Sequence, residues 1–207
     1  MLDLLFLIFG DSIFKPYSFL IKKILQLKGV SVGKNFRIHG KLKLILNGSP
    51  KNISIQDNVF IRGNIDIRNR ENGRIIFEDN VYIDTNCRFI AAREATILFK
   101  NECEIGLNCL INAGADVYIG QKTMIAGNCF FQSSNHGTKP NIPIKEQPHS
   151  YGPIHVGDDV WIGSYVGLLP NSGIGDGSII GAQSLVTSYI QSNSIAIGTP
   201  ARVIKSR

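Results

Sequence analysis

The sequence has no Cys-X-X-Cys pair and no apolar run long enough to cross a bilayer. The uninterrupted apolar stretch at residues 4–9 falls far short of the roughly 20 residues of a spanning helix. No basic region precedes it and no small-residue cleavage site follows it, which argues against a secretory signal. Four cysteines occupy positions where small apolar residues also fit: Cys87, Cys103, Cys109 and Cys129. We therefore predict packed, reduced thiols and a cytoplasmic location.

Charge is scarce and unbalanced. Charged residues make up 18% of the 207 residues and hydrophobic residues 43%, which places the chain in the globular range with one main domain. The formal net charge of +6 favours anionic partners such as phosphates, nucleic acid or an acidic membrane surface, without selecting among them.

The first 29 residues are more apolar than the rest of the chain. From Pro16 onward, apolar residues fall largely at helical spacing with lysines among them, so we predict a helical segment over residues 1–29. Two interpretations of this segment stay open. It is either a cap over the first end of the domain or a basic, amphipathic segment that lies peripherally on an anionic membrane face.

From residue 32 onward, branched and aromatic residues recur with a period of six. The clearest series is Val156, Ile162, Leu168, Ile174, Ile180 and Val186. Elsewhere the period shifts by short insertions, as between Ile67 and Phe77, and then resumes. Helices have a period of 3.6 and simple strands a period of two, so neither explains this pattern.

A six-residue period predicts a very short strand followed by a turn, with three such phrases closing one triangular coil. Stacked coils pair as parallel strands about 4.8 Å apart and bury a continuous apolar column. We predict an all-β parallel helix of about seven coils over residues 30–190, with a cap or tail over residues 191–207. The Pro-, Ser- and Asn-rich stretch at residues 133–152 breaks the period and predicts a long loop.

The phrases "PIHVGDDVWIGSYVGLLPNSGIGDGSIIGAQSLVT" and "IGTPARVIK" resemble the hexapeptide-repeat acyltransferases, particularly the sugar and xenobiotic O-acetyltransferases that use acetyl-coenzyme A. The resemblance is close over residues 100–205 and extends to the earlier coils only as a repeat pattern. It implies a left-handed β-helix, acetyl-CoA as co-substrate, and a homotrimer with active sites between subunits.

The same resemblance implies a catalytic role for His136, which the loop carries at the family's position for the catalytic histidine. An imidazole with an ordinary pKa near 6.5 is suited to remove the proton of an attacking hydroxyl. The partner that orients this ring stays open among Asn135, a loop carbonyl and Glu146. Asn108 falls where the family keeps a substrate-contacting asparagine.

Further positions correspond to the family's cofactor site. Ser164 matches the residue that contacts the pantetheine arm and thioester, while Ala182 and Thr187 match residues that line the arm. Arg202 falls where a phosphate- or adenine-contacting arginine is found, and Lys205 where relatives carry an arginine. Trp161, the single tryptophan, is either beside the acceptor pocket or packed between subunits.

A zinc hydratase of the γ-carbonic anhydrase type has the same kind of solenoid but uses two histidines five residues apart. Here His149 and His155 are six apart and His39 is remote, so we expect no metal. His155 is interpreted as a surface residue of a coil.

The leading prediction is therefore O-acetylation of a sugar hydroxyl, in capsule, lipopolysaccharide or another surface polysaccharide, without a nucleic-acid partner. N-acetylation of an amino sugar and xenobiotic acetylation stay open. So does a noncatalytic solenoid that serves as a scaffold or binds glycans.

Overall fold

The computed structural model describes residues 10–207. The predicted segment 1–29 therefore lies partly outside the described residues. Helical elements are one α-helix, α1 (Lys15–Leu27), and the short 3-10 helices Gly10–Phe14, Pro50–Asn52 and Ile144–Glu146. Within residues 10–207, no helix combines the length and the hydropathy that a bilayer span requires.

The strands follow one another in triplets, and each triplet makes one coil. The first four coils comprise β1 (Ser31–Val32), β2 (Arg37–Ile38), β3 (Leu42–Gly48), β4 (Ile53–Ile55), β5 (Phe60–Ile61), β6 (Ile65–Glu71), β7 (Arg74–Phe77), β8 (Tyr82–Ile83), β9 (Cys87–Ala91), β10 (Thr96–Phe99), β11 (Glu104–Ile105) and β12 (Leu110–Ala113).

The fifth coil is followed by the long loop. The elements from here on are β13 (Val117–Ile119), β14 (Met124–Ile125), β15 (Phe130–Gln132), the loop strands β16 (Ser134–Asn135) and β17 (Ser150–Tyr151), then β18 (Ile154–Val156), β19 (Trp161–Ile162), β20 (Gly167–Leu168), β21 (Gly173–Ile174), β22 (Ile179–Ile180), β23 (Leu185–Val186), β24 (Tyr189–Ile190), β25 (Ser194–Ile197) and β26 (Arg202–Ser206).

Strands in the same place of successive coils stack into three faces. The first strands of the coils, β1 to β24, form face 1; the second strands, β2 to β25, form face 2; the third strands, β3 to β23, form face 3. Pairing between coils is parallel, whereas the terminal β26 turns back antiparallel onto β25 and the loop strands β16 and β17 pair antiparallel with each other. The predicted left-handed parallel β-helix of about seven coils with an N-terminal helix is confirmed.

The core is the predicted apolar column. All six members of the series from Val156 to Val186 are fully buried, and each stabilises the fold by about 1.5–3 kcal/mol relative to exposure. The breaks in the period arise because the third strands of the early coils are longer. For example, β6 has seven residues, whereas β20 has two.

Asparagines hold many corners of the coils. Asn86, Asn108 and Asn128 have φ angles of 61°, 58° and 64°, in the left-handed region that asparagine tolerates better than most residues. Each occupies the turn between the second and third strand of its coil. We call this edge of the prism, which runs through all coils between face 2 and face 3, the asparagine corner.

The helix α1 covers the first end of the column. Leu25 is buried in the core, and the buried Ser18 hydroxyl donates to the Ile38 carbonyl at 3.0 Å and accepts from the Ile38 N–H at 2.9 Å. The Tyr17 hydroxyl donates to the Gly40 carbonyl at 3.0 Å. These contacts tie the helix to the first coil.

Candidate active site

Three residues predicted for the site share the asparagine corner. Asn108 lies in the fourth coil, Ser164 in the sixth and Ala182 in the seventh, with Asn128 of the fifth coil between them. The Asn108 Nδ2 donates to Asn128 Oδ1 at 3.1 Å, and the Gln183 N–H donates to the Ser164 carbonyl at 2.9 Å. Asn108 and Ala182 are exposed and Ser164 is half-buried. This corner thus presents amide and hydroxyl groups in successive coils.

His136 lies on the long loop, which leaves the prism at another edge. The loop follows β15 on face 3 and returns to β18 on face 1 of the next coil. We call the edge between face 3 of one coil and face 1 of the next the loop corner. At its base, β16 and β17 pair antiparallel, with Asn135 opposite Ser150. His136 directly follows this ladder and is exposed.

Buried polar side chains hold the loop. Ser133 is fully buried, and its hydroxyl accepts from the Gly114 and Ala115 N–H groups at 2.8 and 3.0 Å. Within the loop, Gln147 is 5% exposed; its Oε1 accepts from the Lys139 N–H, and its Nε2 donates to the Lys139 and Ile142 carbonyls. Because these hydrogen bonds are sheltered from water, they give the loop a defined shape.

The His136 ring belongs to a short row of rings. Its centroid lies 4.1 Å from that of His149, and the His149 ring in turn lies 6.1 Å from Tyr151. The Arg93 guanidinium lies 4.3 Å from the Tyr151 ring centroid, a cation–π contact. The Tyr151 ring packs against Gly114, where a Cβ would come within 2.6 Å of it. Glycine at this position thus lets the base of the loop lie along the loop corner.

Neither named candidate for the orienting partner of His136 contacts it. Within residues 10–207, Asn135 and Glu146 form no hydrogen bond with the imidazole, whose ring neighbour is His149. The remaining histidines lie apart: His39 stacks on Phe14 at 4.2 Å, and His155 is exposed on β18 and stacks on Tyr118 at 4.5 Å. Among the described residues, no three histidine, cysteine or acidic side chains converge on one point as metal ligands.

The other predicted residues are spread over the last coils. Thr187 is exposed at the loop corner of the seventh coil. Trp161 is exposed on face 2, between Met124 and Ile179 of the adjacent strands, beside a shallow cavity of about 270 Å³. Arg202 and Lys205 are exposed on β26, opposite Ile197 and Ile195.

The sequence-predicted residues therefore divide between two edges of the prism. His136 and Thr187 belong to the loop corner, whereas Asn108, Ser164 and Ala182 belong to the asparagine corner. These two edges bound opposite sides of face 3, so within residues 10–207 His136 and Asn108 belong to different edges of one chain.

The cysteines are free and buried, as predicted. Desolvation raises the pKa of the Cys103 thiol to about 12, which keeps it protonated and unreactive at neutral pH.

Residues 153–188 match the model of the bacterial transferase hexapeptide family (six repeats). The galactoside O-acetyltransferase of Escherichia coli K12 is 40% identical over 89 residues, which cover 43% of this chain and 43% of that protein. The resemblance to the hexapeptide-repeat acyltransferases is confirmed.

A second relative, the probable acetyltransferase Rv3034c of Mycobacterium tuberculosis, is 35% identical over 99 residues, which cover 47% of this chain and 33% of that protein. Across the curated relatives it matches, the chain spans between 33% and 56% of their length.

Solved structures share the fold over most of the chain. A mutant of the Bacillus cereus N-acyltransferase AntD, in complex with dTDP and coenzyme A, is 25% identical with a TM-score of 0.61; the match covers 90% of this chain and 88% of that one. The polySia-specific acetyltransferase NeuO is 23% identical with a TM-score of 0.52, over 86% and 78% of the two chains.

The sequence alone missed Ser133, Gln147 and Tyr151, which hold the loop. Of these three, only Ser133 could have been found from the sequence, because it directly follows the last regular strand before the loop.

Proposed function

We propose that this chain is an acetyl-CoA-dependent O-acetyltransferase that acetylates a sugar hydroxyl, with His136 as the general base. The observation that supports this most is the loop: buried Ser133 and Gln147 give a defined shape to an excursion that carries an exposed imidazole. A scaffold or glycan-binding solenoid has no need of such a construction. The galactoside O-acetyltransferase among the relatives supports a sugar acceptor.

In the proposed reaction, His136 removes the proton of the acceptor hydroxyl as its oxygen attacks the thioester carbonyl. The tetrahedral intermediate then collapses, the carbon–sulfur bond breaks, and the sulfur takes up the proton from the His136 imidazolium, so that coenzyme A leaves as the thiol and His136 is again neutral. Ser164, through its hydroxyl or N–H, stabilises the negative charge that develops on the thioester oxygen.

Coenzyme A lies along the last coils in this proposal. Ala182 and Thr187 line its pantetheine arm, and Arg202 and Lys205 meet its phosphates or adenine. Trp161 lies beside the acceptor pocket or packs between subunits. No metal takes part.

The active site is proposed to form between copies in a homotrimer. Because His136 and Asn108 belong to opposite sides of face 3, a closed rotational ring brings the loop corner of one copy against the asparagine corner of the next. The shared site then contains the base from one chain and Asn108 and Ser164 from its neighbour.

The N-terminal helix supports a peripheral contact with the inner membrane face, where enzymes of surface polysaccharide synthesis meet lipid-linked acceptors. Beyond its capping contacts, α1 leaves Phe19 62% and Leu27 88% exposed, with Lys23 within 5.5 Å of the Phe19 ring. Exposed apolar residues interleaved with lysines are typical of helices that lie in an anionic membrane interface.

The deciding experiment measures release of coenzyme A from acetyl-CoA in the presence of sugars, nucleotide sugars, amino sugars and glycan fragments. We expect acceptor-dependent release with hydroxyl acceptors. Transfer to amino sugars alone would favour the N-acyltransferase alternative, the activity named for AntD. Transfer to a non-sugar xenobiotic such as an antibiotic alone would favour the xenobiotic alternative. If no acceptor and no acetyl-CoA binding were detected, the scaffold interpretation would stand.

A further inference from the structure

A groove of about 440 Å³ runs along the asparagine corner and the adjoining part of face 3 in the first four coils. It ends at Asn108 and lies away from the C-terminal coils proposed for coenzyme A. Its charged and amide-bearing lining includes Lys41, Lys43, Asp66, Asn86, Arg88 and Asn108.

Positive charge dominates this groove. Lys43, Asp66 and Arg88 are cross-strand neighbours on β3, β6 and β9, so their side chains form one column on face 3. Asp66 is the one acidic residue among those that line the groove. Lys41, Lys43 and Arg88 line the groove with Asp66, and Arg68 binds the Asp66 carboxylate from the same strand. Four cations and one carboxylate leave a local surplus of three positive charges.

The carboxylate of Asp66 is already occupied. Arg68 binds it in a bidentate manner, with Nε 2.8 Å from Oδ1 and Nη2 2.6 Å from Oδ2. Arg88 adds one hydrogen bond from Nε at 3.1 Å, and the Lys43 Nζ is 4.0 Å away. Within the described residues, the two terminal nitrogens of Arg88 have no partner. A guanidinium with free terminal nitrogens matches the geometry of a carboxylate or phosphate.

Hydrogen-bonding groups for a neutral part of a ligand lie next to these charges. Along the asparagine corner, the Asn64 amide donates to Asn86 at 3.4 Å and the Asn108 amide donates to Asn128 at 3.1 Å. The bond between Asn86 and Asn108 is not formed, although they occupy equivalent positions in adjacent coils. The Asn86 Nδ2 donor and the Asn108 Oδ1 acceptor have no partner in the part of the chain described. A hydroxyl can accept from one and donate to the other.

We infer that this groove binds a sugar that carries a carboxylate or phosphate. Lys41, Lys43 and Arg88 bind the anion, and Asn86 and Asn108 bind the sugar hydroxyls. That this sugar is the acceptor rests on the proposed function, because the groove reaches Asn108, but binding itself requires no transfer.

The test titrates the full-length protein, without acetyl-CoA, with glucose 6-phosphate, glucuronate and glucose at one ionic strength, by NMR or calorimetry. We expect at least one of the two anionic sugars to bind tenfold or more tightly than glucose, since an ionic hydrogen bond outweighs a neutral one. The phosphate and carboxylate probes distinguish the two anions. The double variant with Lys43→Gln and Arg88→Gln should weaken this binding about 10- to 100-fold.

The matched control replaces Lys51 and Lys122 by glutamine, which removes the same charge from exposed positions outside the groove. It should bind the anionic sugars as the wild type does, and unchanged acetyl-CoA binding by both double variants would show intact folding. Equal affinity for glucose and both anionic sugars would overturn the inference. So would an equal loss in both double variants, or displacement of the anionic sugar by 3′,5′-ADP, which would assign the groove to the cofactor phosphates. Anion-dependent binding without any acetyl transfer would instead contradict the proposed function alone.

Discussion

The imidazole rings of His136 and His149 lie 4.1 Å apart, centroid to centroid, and are tilted by 56°. His149 stands two residues before Tyr151, whose ring lies against Gly114 and under the Arg93 guanidinium. The row therefore connects the proposed base to the wall of the prism, although His136 is on an exposed loop. Such support matters because a general base must be held within reach of the proton it removes.

Replacement of His136 by alanine should lower the rate of acetyl transfer about 100- to 10,000-fold, since the hydroxyl then loses its proton acceptor. The rate is measured as release of coenzyme A with an acceptor found in the screen. His155→Ala is the matched control, because His155 is also exposed but stacks on Tyr118 of face 1; it should retain wild-type activity. A His136→Ala protein that folds and transfers acetyl groups at the wild-type rate would exclude His136 as the base.

A site shared between copies predicts complementation. Oligomers that contain only His136→Ala chains, or only Asn108→Ala chains, should have low transfer activity. After joint refolding in equal amounts, about one quarter of the sites in a cyclic oligomer would combine an intact histidine with an intact asparagine. Activity should then exceed the sum of the separate variants. Sedimentation must show that the chains have mixed, and mixed oligomers without regained activity would argue against a shared site.

Gln147 should control the shape of the loop without contributing to the coils. Gln147→Ala removes three hydrogen bonds to the backbone of Lys139 and Ile142, each of which contributes about 0.5–1.5 kcal/mol to the loop conformation. We expect faster proteolysis within residues 137–146 and a lower turnover rate, with an unchanged denaturation midpoint of the solenoid. The exposed Gln121 supplies the control, Gln121→Ala. Equal protease resistance of the two variants would contradict this role.

The repeat and the core were predictable from the sequence because inward residues recur every six positions, as from Val156 to Val186. The lengths of the early strands on face 3 were not, since β3 and β6 continue past the point where a six-residue phrase would turn. The loop carries no period, so nothing in the sequence predicts that Gln147 is buried or that His149 meets His136.

Contacts between coils depend on register. Lys43, Asp66 and Arg88 are 22 or 23 positions apart in the chain, and only the observed pairing of β3, β6 and β9 places them in one column. Asn108 and Ser164, which the resemblance singles out, lie on one corner because both fall in regular turns between a second and a third strand. The resemblance did not show that this corner differs from the one that carries His136, because that distinction depends on the order of the three faces around the prism.

The exposed side of α1 should mediate binding to anionic membranes. The double variant with Phe19→Ser and Leu27→Ser removes exposed apolar area without touching the buried Leu25 or Ser18, whose loss would uncover the first coil. We expect weaker co-sedimentation with vesicles that contain phosphatidylserine, and little binding of either protein to phosphatidylcholine vesicles. Ile197→Ser with Val203→Ser, exposed at the opposite end, is the control. Equal vesicle binding by both double variants would contradict a membrane role for the helix.

Acid should destabilise the fold by protonating Asp66, which lies in the column of charges on face 3. Hydrogen bonding from Arg68, together with the nearby charges of Arg88 and Lys43, lowers the pKa of this carboxyl below its ordinary 3.8. The folded state therefore binds the ionised form better than the unfolded state does, and Asp66 stabilises the fold fully above the unfolded pKa. That contribution is lost as the pH falls through the lower pKa of the folded state.

Asp66→Asn should accordingly unfold at lower urea concentration than the wild type at pH 7 and pH 5, and the difference should shrink as the pH falls below about 4. The control is Asp159→Asn, because Asp159 pairs with Arg207 at the surface, 67% exposed, where water and salt screen the interaction. Its difference from the wild type should be small throughout. The difference in urea midpoint between Asp66→Asn and the wild type could instead stay constant down to pH 3. That result would mean that the lost stability comes from packing of the replaced side chain and not from the charge that Arg68 and Arg88 hold in place.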